Sequence, residues 1–286
     1  MENSPTLKIL IVGGDSFIGK GLAVDLKKEG HDVTSTSRRM IDQANVYLDL
    51  ENISEELNSI EHDVMILCAG ITKFAQCEAN QKVNRVNYES IKDLVRISNI
   101  HKSKLIYLSS PAVSAKSSIN SEYHPIGIYG CLKKKSEEYI RQYSQQYIIA
   151  RIGKVLEGDG EVLYQWVSGL AAGRKIYAFN NHLVPYISFD TLKKILQRLC
   201  ILKDFDHKTI SVHCAPKSYY QIANILCQKM NLLGDNIIKT NAVEKIKKEM
   251  ILTDFQRLND INDFGNYNDE IELNLVFNAL FEKKIK

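Results

Sequence analysis

The sequence predicts an α/β protein: a doubly wound parallel sheet, with a smaller C-terminal α/β lobe drawn from the second half of the chain. Three observations predict it. Short apolar runs alternate with helical segments of roughly ten to fifteen residues through the first half. The run Asp63–Ala69 (DVMILCA) is apolar almost throughout, as a strand buried on both faces must be. A turn rich in glycine, Gly13 to Gly19, follows the first apolar run at once and opens the first helix.

Leu7 to Val12 is that first run. From Phe17 to Glu29, Ile18, Leu22 and Leu26 recur at helical spacing, and Gly30 closes the segment. His31 to Thr36 and Val46 to Leu50 are further strand-like runs. After the buried run at 63–69 comes one long amphipathic helix, with Val83, Val86, Ile91, Leu94 and Ile97 on one side. Lys104 to Ser110 reads as a fifth strand, Tyr129 to Gln142 as a helix and Tyr147 to Ile152 as a sixth strand. Beyond residue 153 the rhythm weakens. Strand-like pieces at Lys175–Phe179 and Thr209–Val212 mix with helices over Phe189–Leu202, Ser218–Met230 and Ala242–Met250. The division implied is 1–153 for the sheet domain, rejoined by a return segment at about 184–202. Residues 154–183 and 203–286 then form the second lobe.

With 44% hydrophobic and 25% charged residues, the chain has the balance of a packed globular protein, which excludes a disordered or collagen-like one. A net charge of +3 is too small to point to a nucleic-acid or membrane-surface partner. No apolar stretch approaches the roughly 20 residues needed to span a bilayer, and no leader-like segment opens the sequence. The cysteines, Cys68, Cys77, Cys131, Cys200, Cys214 and Cys227, match no zinc spacing, so no metal is expected. Free thiols in a reducing cytoplasm are the expectation.

A dinucleotide needs a tight turn after the first strand, then close backbone approach to its pyrophosphate at a helix N-terminus. Gly13 and Gly19 have the spacing of G-x-x-G-x-x-G, with Ser16 at the middle position. Asp15, Ser16, Phe17 and Ile18 complete the turn, and the Ser16 hydroxyl could reach a phosphate. The second strand ends in Thr36-Ser37-Arg38-Arg39, where an acid would accept from the ribose of NAD. Two guanidiniums suit a 2′-phosphate instead, so NADP(H) is preferred and NAD(H) remains possible. Asp49-Leu50, ending the third strand, would lie by the adenine. Cys68-Ala69-Gly70, ending the fourth, has the small side chains a passing cofactor requires.

Tyr129 and Lys133 are four residues apart and share a helix face. A phenol titrates near ~10, so it needs help to move a proton at neutral pH, and an adjacent ammonium can give it. Ser109-Ser110 end the fifth strand, at the sheet edge where ligands of open α/β folds bind. Ser110 can there polarise a carbonyl. The run Lys133-Lys134-Lys135 makes a chance Y-x-x-x-K easier to meet, but the order of glycine turn, small-residue strand end, Ser-Ser and Y-x-x-x-K is far more specific.

On those residues the chain resembles the extended short-chain dehydrogenase/reductase family, in its branch of nucleotide-sugar epimerases, dehydratases and reductases. Asn87, Arg151 with Val155-Leu156-Glu157-Gly158, and Val184 to Asp190 extend the resemblance over most of the chain. Ala69-Gly70-Ile71-Thr72 followed by Cys77-Glu78 and Asn87 is most similar to the dTDP-4-dehydrorhamnose reductase group. The resemblance implies Tyr129 as acid–base group, Lys133 as its helper and ribose ligand, and Ser110 on the substrate oxygen. It places Asn87 by the cofactor, and makes the second lobe the nucleotide-sugar lobe. Thr72, Val113 and His182 are further substrate candidates, and a homodimer is expected.

Pro111-Ala112-Val113 after the serines lacks the acids of the dehydratases and the cysteine of the combined epimerase–reductases. A 4-keto-sugar reductase using NADPH leads. An epimerase with bound NAD(P), or an inactive NADP-sensing regulator or assembly subunit of the same fold, stays open. His182 can also be read as a solvated loop residue, Trp166 and Tyr164 as core or as a base-stacking pair, and Cys131 as packing. Lys245, Lys247, Lys248 and the terminal lysines read as solvated faces.

Overall fold

The computed structural model describes residues 5–39, 45–157, 160–202, 207–242, 251–255 and 269–285. In chain order the first elements are β1 (Lys8–Val12), α1 (Phe17–Lys28), β2 (Asp32–Ser37), β3 (Asn45–Tyr47), β4 (Val64–Leu67), α2 (Phe74–Ala79), α3 (Ser90–Ile100) and β5 (Lys104–Ser109). Then come β6 (Ala115–Ser117), β7 (Asn120–His124), α4 (Gly127–Tyr143), β8 (Tyr147–Ile152), β9 (Lys154–Val155), α5 (Gly160–Ala171) and β10 (Ile176–Phe179). The rest are β11 (Leu183–Val184), β12 (Tyr186–Ile187), α6 (Phe189–Ile201), β13 (Lys208–Val212), β14 (Lys217–Ser218), α7 (Tyr219–Lys229), β15 (Ile237–Thr240), β16 (Leu252–Phe255) and α8 (Asp269–Ile285).

Seven strands form one sheet in the order β13-β8-β5-β4-β1-β2-β3, the doubly wound α/β class the sequence predicts. Strands β1 to β5 and β8 pair in parallel. The edge strand β13 follows suit. His207 N–H donates to Tyr147 C=O and Gly153 N–H to Val212 C=O, so both chains advance in the same direction. All four residues of β4 are buried, as its unbroken apolar run requires. Strand order reverses between β1 and β4, so the C-terminal ends of those two strands flank a switch point.

Contacts divide the chain into two units. Unit 1 is Met1–Val113, Gly127–Arg151 and Lys193–Ile210; unit 2 is Ser114–Ile126, Ile152–Leu192 and Ser211–Lys286. Unit 1 holds most of the sheet and its helices. Its core packs Leu10, Met65, Leu94, Leu105, Tyr107 and Ile149, from strands and α3. Unit 2 has no dominant sheet among its described residues. It combines the antiparallel trio β16-β6-β7 with the pairs β10-β15, β11-β14 and β9-β12. Its core joins Trp166 and Leu170 of α5 to Leu226 of α7 and Phe277 of α8. Helix α7 starts at a capping box. The Ser218 hydroxyl accepts from Gln221 N–H at 3.1 Å, and the Gln221 side chain accepts from Ser218 N–H at 2.8 Å.

The long amphipathic helix expected after β4 runs unbroken from residue 83 to 100, but its first turns include a π-helical stretch at Arg85–Glu89 that leads into α3, and the short separate helix α2 precedes it. Asn87 lies in the π turn, with consequences described below. The hairpin β6–β7 gives no strong strand signal, because its residues AKS and NSEYH carry few apolar side chains. The expected helix over Ala242–Met250, with Lys245, Lys247 and Lys248, lies outside the described residues.

Candidate active site

The glycine turn is shaped by what cannot fit there. Gly13 has φ +89°, and a Cβ on it would stand 2.7 Å from both Ala69 Cβ and Ala69 N. The small residue after β4 and the glycine after β1 therefore require each other. A Cβ on Gly19 would lie 2.3 Å from the Gly13 carbonyl, so the first turn of α1 sits directly on the loop. Ser16 caps α1: its hydroxyl oxygen accepts from Gly19 N–H at 3.0 Å. The serine at the middle glycine position is thus first a helix cap, a role its sequence position did not suggest. Phe17 is exposed and Ile18 half-buried at the same helix end.

The arginines divide their work. Arg39 Nε and Nη2 both reach Asp15 Oδ2, at 2.9 and 2.8 Å. Burial opposes charge on Asp15, but hydrogen bonds from Arg39 and Ser37 outweigh it and hold the carboxyl below its usual range. Ser37 is buried, and its oxygen also accepts Arg39 N–H at 2.9 Å. Asp15, Ser37 and Arg39 are therefore one internal brace between the glycine turn and the end of β2. Arg38 is exposed, with no side-chain partner among the described residues. Asp49 accepts Glu51 N–H at 3.0 Å in a local turn, and Leu50 is buried in the unit 1 core.

Asn87 clamps the loop after β4. Its Oδ1 accepts Ile71 N–H and its Nδ2 donates to Ile71 C=O, each at 2.8 Å. Its own carbonyl accepts the Ser136 hydroxyl of α4 at 2.9 Å. The π turn thereby ties the Cys68-Ala69-Gly70 strand end to the helix bearing Tyr129. A Cβ on Gly70 would stand 3.2 Å from Asn87 Oδ1, which keeps that position small.

Tyr129 and Lys133 lie on the inner face of α4, both under one-tenth exposed, while Lys134 and Lys135 point to solvent. The helix period separates the buried lysine from its neighbours in the run. The Tyr129 ring meets Phe74 of α2 edge-on, with centroids 5.4 Å apart. Glu78 of α2 accepts Ile128 N–H at 2.9 Å, satisfying a donor in the first turn of α4. Burial pushes the Tyr129 phenol up to about 12, and a hydrogen bond with Ser110 opposes that rise. Burial pushes Lys133 down to about 8, with Glu137 acting against it. Lys133 Nζ donates to Leu108 C=O at 2.7 Å, 4.5 Å from the Tyr107 ring centre and 5.9 Å from that of Tyr129. Ser110 Oγ also accepts Ala112 N–H at 3.2 Å.

A family model described as the RmlD substrate binding domain matches residues 7–179, more than half of the chain. The chain belongs to that family. The match takes in the glycine turn, Ser110, Tyr129 and Lys133 of this RmlD-family chain. A curated relative, the probable low-salt glycan biosynthesis reductase Agl14 of Haloferax volcanii, is 25% identical over 190 residues. That alignment covers 60% of this chain and 63% of the relative's length. Solved structures with the same fold include dTDP-4-dehydrorhamnose reductase from Bacillus anthracis in complex with NADP. It has a TM-score of 0.77 and 18% identity, over 98% of this chain and all of that one. UDP-glucose 4-epimerase from Thermotoga maritima, with UDP-glucose, also has a TM-score of 0.77, at 16% identity over 98% of this chain and 100% of its own. The Bordetella bronchiseptica enzyme WbmG with NAD and UDP reaches 0.78 at 12% identity, over 99% and 96%. The fold alone does not separate reductase from epimerase.

Of the remaining candidates in this RmlD-family chain, Thr72 is exposed and Val113 is buried 2% exposed in the short turn after Ser110. His182 belongs to unit 2. Its Nδ1 accepts Leu252 N–H at 3.2 Å, its ring stacks on Tyr219, and burial pushes its pKa down to about 4. It is a packed neutral ring and not a solvated loop residue. Trp166 is in the unit 2 core and Tyr164 is exposed. Cys131, read as packing, is exposed, because the 200° rotation from Tyr129 carries it to the solvent side of α4. All six cysteines are free thiols. No helix among the described residues is long and apolar enough to cross a membrane. Sequence reasoning missed Glu137, though it stands at i+4 from Lys133 on the same face.

Proposed function

We propose that the chain is an NADPH-dependent reductase of a nucleotide-linked 4-keto-6-deoxy sugar. What carries the reading is the meeting in unit 1 of Ser110, Tyr129 and Lys133, the serine near enough to the buried phenol to ease its ionisation and the amine 5.9 Å from the centre of its ring. The residues at the glycine turn fit a dinucleotide. Gly13 and Gly19 leave bare backbone beside Ala69, and the N-terminus of α1 offers N–H donors to a pyrophosphate. Bound NADPH supplies the hydride. Tyr129, kept protonated at neutral pH by burial, holds the proton that a carbonyl oxygen must gain, and Ser110 orients that oxygen by hydrogen bonding. Lys133 presents N–H donors to ribose hydroxyls. The names of the Haloferax relative and the Bacillus structure support a reductase using NADP. We assign the nucleotide sugar to unit 2, with homodimeric assembly and a cytoplasmic setting that the six free thiols favour.

The test is NADPH oxidation by the purified chain over a panel of dTDP-, UDP- and GDP-linked 4-keto-6-deoxy sugars. Consumption of NADPH with at least one of them is expected. Isomer exchange at C4 without net consumption supports the epimerase, and tight NADPH binding with no turnover on any sugar supports the regulator. Turnover should fall about tenfold per pH unit above about 8, as Lys133 loses the proton that makes it an ammonium. A profile flat to pH values well above that would remove the ammonium from the mechanism.

Arg38 is free to take a 2′-phosphate, whereas Arg39 is committed to Asp15. Arg38→Ala should therefore weaken NADPH binding about 10- to 100-fold, the worth of a charge-assisted hydrogen bond, and leave NADH nearly unchanged. Paired fluorescence titrations check it; equal losses for both cofactors would place Arg38 elsewhere.

A further inference from the structure

Glu137 lies one helical turn after Lys133 on α4, and its side chain has 0% exposure. A buried carboxylate survives only if it is paired and hydrogen-bonded, and this one is. Oε1 accepts the Ser109 hydroxyl at 2.6 Å and Arg151 Nε at 3.0 Å. Oε2 accepts Arg151 Nη2 at 2.9 Å and Arg141 Nη2 at 2.7 Å. One side chain thus pins α4 to the last residue of β5 and to β8, and Arg141 carries the tie to Thr209 of β13 at 3.1 Å. Ser110 is the next residue after the pinned Ser109.

We propose that Glu137 is a positioning residue of the Ser110–Tyr129–Lys133 site, fixing the strand end that carries Ser110 and placing a buried carboxylate one helical turn from Lys133. The inference rests on the reading of that site given above. Its electrostatic half follows from what faces Lys133. From α4 come Glu137 and the Tyr129 ring. From β5 come the Leu108 carbonyl and the Tyr107 ring, and from α2 and the end of β4 the thiols Cys77 and Cys68. Burial raises both thiols, Cys68 to about 12, so they are neutral at neutral pH. Glu137 stays ionised: burial works against its charge, but Arg151, Ser109 and Arg141 together hold its carboxyl below the usual range. The carboxylate is the anion that favours the charged lysine, while Arg151 and Arg141 stand behind it with the opposite sign.

The experiment follows the lysine itself. In purified chain labelled at lysine Cε, the Lys133 resonance, assigned by its loss in Lys133→Met, is titrated by NMR. The wild-type midpoint is expected near about 8. Glu137→Gln removes the anion and leaves two cations, so the midpoint should fall by about one unit or more. Arg151→Gln removes a cation and should raise it. Opposite shifts from two variants that both weaken the fold cannot come from loosening alone. Should Glu137→Gln not fold, Glu137→Gln/Arg151→Met replaces the buried pair with neutral side chains and should still lower the midpoint. An unchanged midpoint, or shifts of the same sign in the two single variants, overturns the proposal. The reading of the site stands or falls separately, on turnover in Tyr129→Phe.

Discussion

Tyr129→Phe is expected to lower kcat by ~10²–10⁴-fold while leaving NADPH affinity within about twofold, the span that general acid catalysis contributes. The variant removes one oxygen from a ring whose packing does not depend on it. The ring stands edge-on to Phe74 at 5.4 Å and belongs to a small cluster with Cys77, Val83, Ala112 and Leu132. Phenylalanine keeps those contacts. What it loses is the hydrogen bond with Ser110, worth about 1 kcal/mol at most in net stability. The fold should hold, so a lost rate can be assigned to a lost proton donor. Turnover, thermal unfolding and NADPH fluorescence titration on one preparation separate the three quantities. Residual activity above about one-tenth of wild type would mean that another group gives the proton, and the roles of Ser110 and Lys133 would fall with it.

The sheet was legible because its strands carry their own signal. Residues 64–67 are buried on both faces, and the unbroken run VMIL, bounded by alternating helices, suits a central parallel strand. The course of α1 was legible for a similar reason, since Ile18, Leu22 and Leu26 recur at helical spacing after the glycine turn, whereas the capping role of Ser16 was not. Nor was the π turn around Asn87. Val83, Val86, Ile91, Leu94 and Ile97 continue one apolar side across it, and a π turn changes backbone hydrogen bonding without changing which residues are apolar. What the π turn serves, the Asn87–Ile71 bonds, joins residues 16 apart in sequence. Unit 2 was the least legible. Its described strands are two to five residues long and, the β6–β7 hairpin apart, pair across long separations, so neither period nor length announces them.

At the candidate site, Ser110, Tyr129 and Lys133, which the structure brings together, could be picked out because the proposed proton relay constrains both residue type and spacing. The side chains that hold them could not. Glu137, Ser136 and Glu78 act through partners on other elements, and a single sequence presents each as an ordinary polar helix residue. The arginine pair shows the same limit. Arg38 and Arg39 are alike in sequence, yet Asp15, far along the chain, takes one and leaves the other.

Gly13→Ala is the second large effect. A side chain at φ +89° costs about 1–2 kcal/mol in backbone strain alone. Here the new Cβ would also stand 2.7 Å from the backbone nitrogen of Ala69, and forcing such an overlap into packed surroundings adds about 1–3 kcal/mol. The end of β1 cannot move freely to relieve it, because Gly13 N–H donates to Thr36 Oγ1 at 3.2 Å and Gly14 N–H to Thr36 C=O at 2.8 Å. The loop after β4 must therefore yield, and that loop borders the surface assigned to the pyrophosphate. NADPH affinity should fall at least about tenfold, with a lowered unfolding temperature. Gly30→Ala is the matched control. Gly30 has nearly the same φ, +88°, but nothing lies within 4 Å of its added Cβ. It should carry the backbone strain without the crowding, and bind NADPH as wild type does. If Gly13→Ala binds NADPH no worse than Gly30→Ala does, the cofactor does not lie on this turn, and the dinucleotide assignment fails at its first contact.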